Sequence, residues 1–177
     1  MALPIVILNE SAVHRVLTRI AHEIAERNDD SKGVVIVGVQ TGGVQLAHRI
    51  GSILSNIWGH ALPMGSVDVS MHRDDLAQHA APNVHPTDIP FDLNQKTVIL
   101  VDDVLFSGRT TRAALDALND FGRPARIQLA VLVDRGHREL PIKADFVGKN
   151  VPTGLNERIE VHLKQDGGED SVFLLKS

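Results

Sequence analysis

The chain has 177 residues, a formal net charge of −4, 43% hydrophobic and 23% charged residues, and no cysteine, the composition of a globular domain with its own core. No apolar run reaches the ~20 residues that span a bilayer, and the opening MALPIVILNE lacks the basic flank and small-residue cleavage site of a signal peptide, so a cytoplasmic location is expected. The absent cysteines exclude disulfides and thiolate metal sites, and the acidic balance means that nucleic acid binding would need a local basic patch.

In chain order, Asn9 or Ser11 is placed to cap a helix carrying Val13, Val16, Leu17, Ile20 and Ile24 at helical spacing and running to about Arg27. GVVIVGV then reads as a buried strand, and QTGG turns it into a second amphipathic helix marked by Leu46, Ile50, Ile53, Leu54 and Ile57. SVDVSM alternates like a strand and leads into a long loop, about residues 72–95, carrying Pro82, Pro86 and Pro90. A loop of that length inside a domain is usually functional or mobile. Thr97 to Val101 predicts another buried strand and Arg112 to Phe121 a helix ended by Gly122 and Pro124. RIQLAVLVD gives the next strand and ADFVG a further one, while RIEVHL and SVFLLK form a C-terminal β-hairpin turning at Asp166-Gly167-Gly168. The alternation of strands and helices predicts an α/β domain with a mainly parallel central sheet flanked by helices.

Two strand-loop-helix units present glycine-bearing loops where open α/β sheets bind ligands, each just before a helix N-terminus suited to anions. Neither G-x-x-x-x-G-K-[ST] nor G-x-G-x-x-G occurs in the chain, so these are not the ATPase loop or the dinucleotide fingerprint. Asp102 and Asp103 are consecutive and point to opposite sides of a strand, which disfavours a facing acid/base pair. Beside a phosphate cradle they suit hydrogen bonds from vicinal sugar hydroxyls and offset positive charge on a ribose. The nine histidines form no tight metal pattern.

The segment VILVDDVLFSGRT is similar to the phosphoribosyl-pyrophosphate (PRPP) motif of the type I phosphoribosyltransferases. TRIAHE, RDDL and AVLVDRGHRELPIKADFVGKNVPT resemble a branch of that family whose members regulate pyrimidine operons and act as uracil phosphoribosyltransferases. The resemblance implies a single phosphoribosyltransferase domain over 1–177, with a small hood contributed by the C-terminal third. It implies that Asp102 and Asp103 meet the ribose of PRPP, with Val104, Leu105 and Phe106 leading to a 5′-phosphate loop of Ser107, Gly108, Arg109, Thr110 and Thr111. Thr41, Gly42 and Gly43 take the place of the family's pyrophosphate loop, Arg73 of the long loop is a candidate pyrophosphate contact, and Arg135 and Ile159 are uracil-pocket candidates. Magnesium is expected as a cofactor held chiefly by substrate oxygens and water, without a dedicated protein site.

The resemblance also implies binding of a pyrimidine-operon leader mRNA, controlled by UMP or UTP, and a homo-oligomer, dimer or tetramer. The first helix carries Arg15, Thr18, Arg19 and His22 opposite its apolar side, and Arg135, His137, Arg138, Lys143 and Lys149 cluster late in the chain. Among these, the resemblance assigns Thr18, Arg19, His22, Arg138, Lys143 and Lys149 to RNA. One departure stands out: the family's pyrophosphate loop commonly reads Thr-Arg-Gly, and here it reads Thr41-Gly42-Gly43. Three functions therefore remain open: a nucleotide-responsive RNA-binding regulator that also converts uracil and PRPP to UMP and pyrophosphate; an RNA-binding regulator whose catalysis is weak or lost through Gly42; and a phosphoribosyltransferase for another base.

Overall fold

The computed structural model describes residues 3–74 and 84–176. Strand β1 (Ile5–Leu8) leads into helix α1 (Glu10–Arg27), where Asn9 accepts the Ala12 N–H at 2.9 Å as the cap. Strand β2 (Val34–Val39), helix α2 (Gly42–Trp58) and strand β3 (Met64–Val67) form one crossover, and β4 (Thr97–Leu105), helix α3 (Arg109–Leu118) and β5 (Arg126–Asp134) form another. Strands β6 (Phe146–Asn150), β7 (Arg158–His162) and β8 (Ser171–Leu175) complete the chain.

Five strands form a parallel sheet in the order β3-β2-β4-β5-β6. The period-two alternation of strand side chains separates its two faces. Val34, Ile36, Ile99 and Val101 pack under α1 and α2, whereas Val35, Val37, Val98 and Leu100 pack under α3. A separate antiparallel sheet, β1-β8-β7, closes on the first core through Leu8, Leu163 and Val172. From β2 the chain crosses to β3 on one side, and from β4 it crosses to β5 on the other. The crevice between the carboxyl ends of β2 and β4 is therefore the topological switch point, where this architecture binds ligands.

The expected parallel sheet, its helices and the C-terminal hairpin are present, with four differences. The strand expected over SVDVSM lies earlier, at Met64–Val67, because its parallel register to β2 runs from Ile36↔Met64 to Val39↔Val67. The strand expected to stop at Val101 continues to Leu105, since its ladder to β5 reaches Leu105↔Asp134. Helix α3 starts at Arg109, not Arg112, and ends at Leu118, with Gly122 following at φ +146. Strand β1 was not expected, and it pairs with β8 through Ile5↔Leu174. Of the long loop expected at 72–95, residues 75–83 lie outside those described. No helix among the described residues is long and apolar enough to cross a membrane.

Candidate active site

Two helix N-termini converge at the switch point, and neither has a side-chain cap. Thr41 precedes α2 and Gly108, at φ +91, precedes α3, both without a capping hydrogen bond, in contrast to Asn9 at α1. Uncapped N-termini leave donors and the positive end of the helix dipole available to an anion. The approach of α2 depends on Gly43, because a Cβ there would lie 2.2 Å from the Val101 carbonyl and 3.0 Å from the Asp102 Cα. Gly42 lies directly against the carboxylate pair: its Cβ would fall 2.2 Å from Asp103 Oδ2 and 2.6 Å from Asp103 Cγ. The Gln40–Thr41 peptide between β2 and this loop is cis.

Asp102 is 8% exposed, and Asp103 is half-buried on the other side of β4. Asp102 Oδ1 accepts the Asp103 N–H at 2.9 Å, and Asp103 Oδ1 accepts the Val104 N–H at 2.7 Å. Burial pushes the Asp102 carboxyl well above the usual range and the neighbouring Asp103 charge adds to this, while the Arg73 charge pulls it down. Arg73 of the long loop thus lies close enough for its charge to act on Asp102. Farther along that loop's described part, Asp74 Oδ2 pairs with Arg109 Nη1 at 2.5 Å and Arg112 Nη1 at 3.2 Å.

The loop after β4 splits into different environments. Leu105 is 3% exposed inside the α3 core and offers no side chain to a ligand, and Val104 continues the ladder opposite Val133. Phe106 is exposed, Ser107 Oγ accepts the Arg109 N–H at 3.3 Å, Thr110 is partly exposed and Thr111 is buried. Beside Phe106 stands a cluster that sequence reasoning saw only in part. The Arg135 guanidinium lies 4.2 Å from the Phe106 ring centroid, a cation–π arrangement. Its Nε donates to Thr153 Oγ1 at 3.1 Å and its Nη2 to the Gly154 carbonyl at 3.2 Å. His137, at φ +63, places Nε2 2.6 Å from the Thr153 carbonyl and its ring edge-on to Phe106. From sequence, His137 is visible only as part of the late basic cluster and Thr153 not at all, although the β4–β5 register, Leu105↔Asp134, puts Phe106 and Arg135 next to each other. Ile159 is half-buried on β7, which packs beside β4, and rests against the α1–α2 core.

Asp102 and Asp103 have the chemistry to assist a magnesium ion through bound water while a diphosphate supplies its inner ligands. Among the described residues no cluster of three or more histidine or acidic side chains forms a metal cage.

On the far edge of the sheet, Arg19 pairs with Glu23 at 2.6 Å and donates to the Gly148 and Val147 carbonyls of β6 at 2.6 and 3.2 Å. Thr18 Oγ1 returns a bond to the His14 carbonyl at 2.9 Å, and His22, Lys143 and Lys149 are exposed. Arg138 is likewise held by internal partners, the Phe106 and Ile142 carbonyls and the Asp134 carboxylate.

Two uncapped helix N-termini and two adjacent carboxylates thus lie at the switch point of a parallel sheet, a combination of anion donors and hydroxyl acceptors. The chain belongs to the phosphoribosyl transferase family, whose domain model matches residues 7–160. Among its near-full-length relatives, the Bifunctional protein PyrR of Roseiflexus sp. (strain RS-1) is 58% identical over 173 residues, covering 97% of this chain and 94% of that one. The Bifunctional protein PyrR of Listeria welshimeri serovar 6b is 52% identical, covering 98% and 97%. In fold, the chain resembles the hypoxanthine phosphoribosyltransferase of Trypanosoma cruzi, with a TM-score of 0.71, 19% identity and coverage of 97% of this chain and 95% of that one.

Proposed function

We propose that this phosphoribosyltransferase transfers the phosphoribosyl group of PRPP to uracil, giving UMP and pyrophosphate, and that it also binds a pyrimidine-operon leader mRNA under uridine-nucleotide control to attenuate transcription. The observation that carries the enzymatic part is the meeting of two uncapped helix N-termini at the switch point, that of α2 lying directly against Asp103. The 58% identity to a protein named bifunctional supports the pairing with regulation.

Residues 107–111 hold the 5′-phosphate at the start of α3, and Thr41, Gly42 and Gly43 hold the pyrophosphate at the start of α2. Asp102 and Asp103 accept the ribose hydroxyls and offset the positive charge that develops on the ring. Uracil N1 bonds to the anomeric carbon as its bond to pyrophosphate breaks, and the N1 proton is lost. Magnesium, when bound, neutralises the leaving diphosphate. Arg73 adds a cation near the same carboxylates and meets the pyrophosphate. The base sits by Phe106, Arg135 and Ile159. Thr18, Arg19, His22, Lys143 and Lys149 meet RNA phosphates and unpaired loop bases, with strong salt dependence; a homo-oligomer, dimer or tetramer, sets which of these faces is open.

Incubation with PRPP, uracil and magnesium, followed by chromatography of UMP, tests the enzyme; no UMP above background overturns it. Filter binding of a pyrimidine-operon leader RNA with and without UMP tests the regulator; absence of both affinity and a UMP effect overturns that half. Gly42 favours a second reading, a regulator with slow turnover, because the loop lacks the guanidinium its family commonly places there.

A further inference from the structure

The long loop is fastened at its root by a buried carboxylate that the reaction above does not use. Asp68 directly follows β3 and is buried. Its Oδ1 accepts the Ser70 N–H at 2.6 Å on the outgoing arm, and its Oδ2 accepts the His85 N–H on the returning arm. Its own N–H donates to Thr87 Oγ1 at 3.0 Å, so a single residue joins both arms. The backbone adds a second fastening, because Ser66 and Asp88 exchange N–H to carbonyl bonds at 2.8 and 2.9 Å. The Gln40 N–H donates to the Val67 carbonyl at 2.9 Å, which fixes this root beside the start of the 41–43 loop. Val67 and Val69, on either side of Asp68, are buried in the α3 core, and strand alternation turns Asp68 away from it. Burial opposes the charge on Asp68, yet the Ser70 and His85 bonds outweigh it and hold the carboxyl below its usual range.

We propose that Asp68 is a positioning residue for the pyrophosphate half of the site: by clasping both arms of the long loop at the end of β3, it sets where Arg73 stands relative to Asp102 and the Thr41–Gly43 loop. The proposal rests on the reading of Arg73 as a pyrophosphate contact and deepens it by naming what holds that cation in place. Arg73 lies on the outgoing arm, just after a turn in which the His72 N–H donates to the Val69 carbonyl at 3.0 Å. Farther out, the arm meets α3 and the residues after it through exposed pairs, His72 with Asp120 and Asp74 with Arg109 and Arg112. Exposed pairs are screened and individually weak, whereas a buried carboxylate on two amides makes charge-assisted bonds. The root, not the tip, therefore fixes the arm. An amide cannot replace Asp68, because Asn offers one acceptor oxygen and its NH2 would meet the N–H of the other arm, donor against donor. One arm is then released, and PRPP binding must also order Arg73.

The test compares full-length wild type, Asp68→Asn, Arg73→Ala and the double variant in steady-state kinetics with PRPP and uracil, and in calorimetric titration with PRPP in magnesium. Asp68→Asn should raise the KM for PRPP about 5–30-fold and weaken PRPP binding by a similar factor, while the KM for uracil stays within about two-fold of wild type. Adding Asp68→Asn to Arg73→Ala should change either PRPP quantity by less than about two-fold, because the clasp acts through the side chain already removed. A general loss of structure would instead lower kcat and both affinities together, and would multiply with the effect of Arg73→Ala. That result, or an unchanged KM for PRPP in Asp68→Asn, overturns the proposal. If a thermal melt shows that Asp68→Asn does not fold, Thr87→Val removes the acceptor of the Asp68 N–H and must show the same PRPP-selective, Arg73-dependent loss. If wild type forms no UMP yet binds PRPP, the uracil reading fails by itself and the titration still decides the role of Asp68; wild type that binds no PRPP overturns both.

Discussion

Gly42 offers the sharpest test of the site, because two forces act there in opposite directions. An arginine at this position would add a guanidinium near the pyrophosphate, a contact of about 1.5–3 kcal/mol for a hydrogen bond to a charged group. Yet any side chain starts with a Cβ that would lie 2.2 Å from Asp103 Oδ2, 2.6 Å from Cγ and 3.2 Å from the Asp103 Cβ. Asp103 would have to leave its present rotamer and surrender its 2.7 Å bond from the Val104 N–H. Overpacking of this kind costs about 1–3 kcal/mol. Gly42→Ala isolates the steric part, since it adds the Cβ and no charge. It should lower kcat/KM for PRPP by about 5–150-fold, which is 1–3 kcal/mol of transition-state binding. Gly42→Arg should then recover only part of that loss. The assay is UMP formation at saturating uracil with PRPP varied, accompanied by a thermal melt to establish that both variants fold. A kcat/KM for Gly42→Ala within about two-fold of wild type would refute the claim that Asp103 is held in place by the absence of a side chain at 42.

Three further outcomes follow from the geometry. Asp102 is an acid whose folded-state pKa lies above its unfolded value, so the native state binds the extra proton and loses stability as pH rises from about 3.8 through the folded pKa. Asp102→Asn should therefore raise the ligand-free Tm at pH 7, by about 2–4 °C per kcal/mol of relieved desolvation, while impairing PRPP use; a lower Tm would contradict it. Asp170, 4% exposed, takes Arg49 in a two-pronged bond at 2.6 and 2.8 Å, and that bond holds its carboxyl below the usual range. Its stabilisation is present above about pH 4 and lost as pH falls through the folded pKa; Asp170→Asn should lower Tm by about 5–10 °C at pH 7, from roughly 2–3 kcal/mol, and by progressively less in acid-range melts. Arg135→Lys keeps the charge but removes the planar group over Phe106 and the fork to Thr153 and Gly154. It should cut kcat/KM for uracil about 5–30-fold, and equal effects on uracil and PRPP would argue against a role at the base.

Where structure is set by local sequence, the chain was legible. The Asn9 cap and the Val13 to Ile24 spacing define α1 nearly to the residue, and the apolar run Leu129 to Val133 marks β5. The misplacements occurred where partners distant in sequence decide. β1 exists because β8 pairs with it, although four apolar residues near a terminus carry no periodicity of their own. β4 passes through two aspartates because β5 continues to pair with it, and this carries Asp102 from an expected strand end into the buried ladder opposite Val131.

The same division runs through the candidate site. The aspartate pair and the glycine loops are contiguous motifs, so their place at the carboxyl ends of parallel strands could be read from spacing. The Phe106–Arg135–His137–Thr153 cluster draws on three separated segments and depends on sheet register and on a positive φ at His137. Arg138 shows the limit most clearly: its sequence neighbours identify a cation in a basic segment, but only the folded chain reveals that it donates to Phe106, Ile142 and Asp134. A charge counted from sequence is available to a ligand only if the fold leaves its donors unspent.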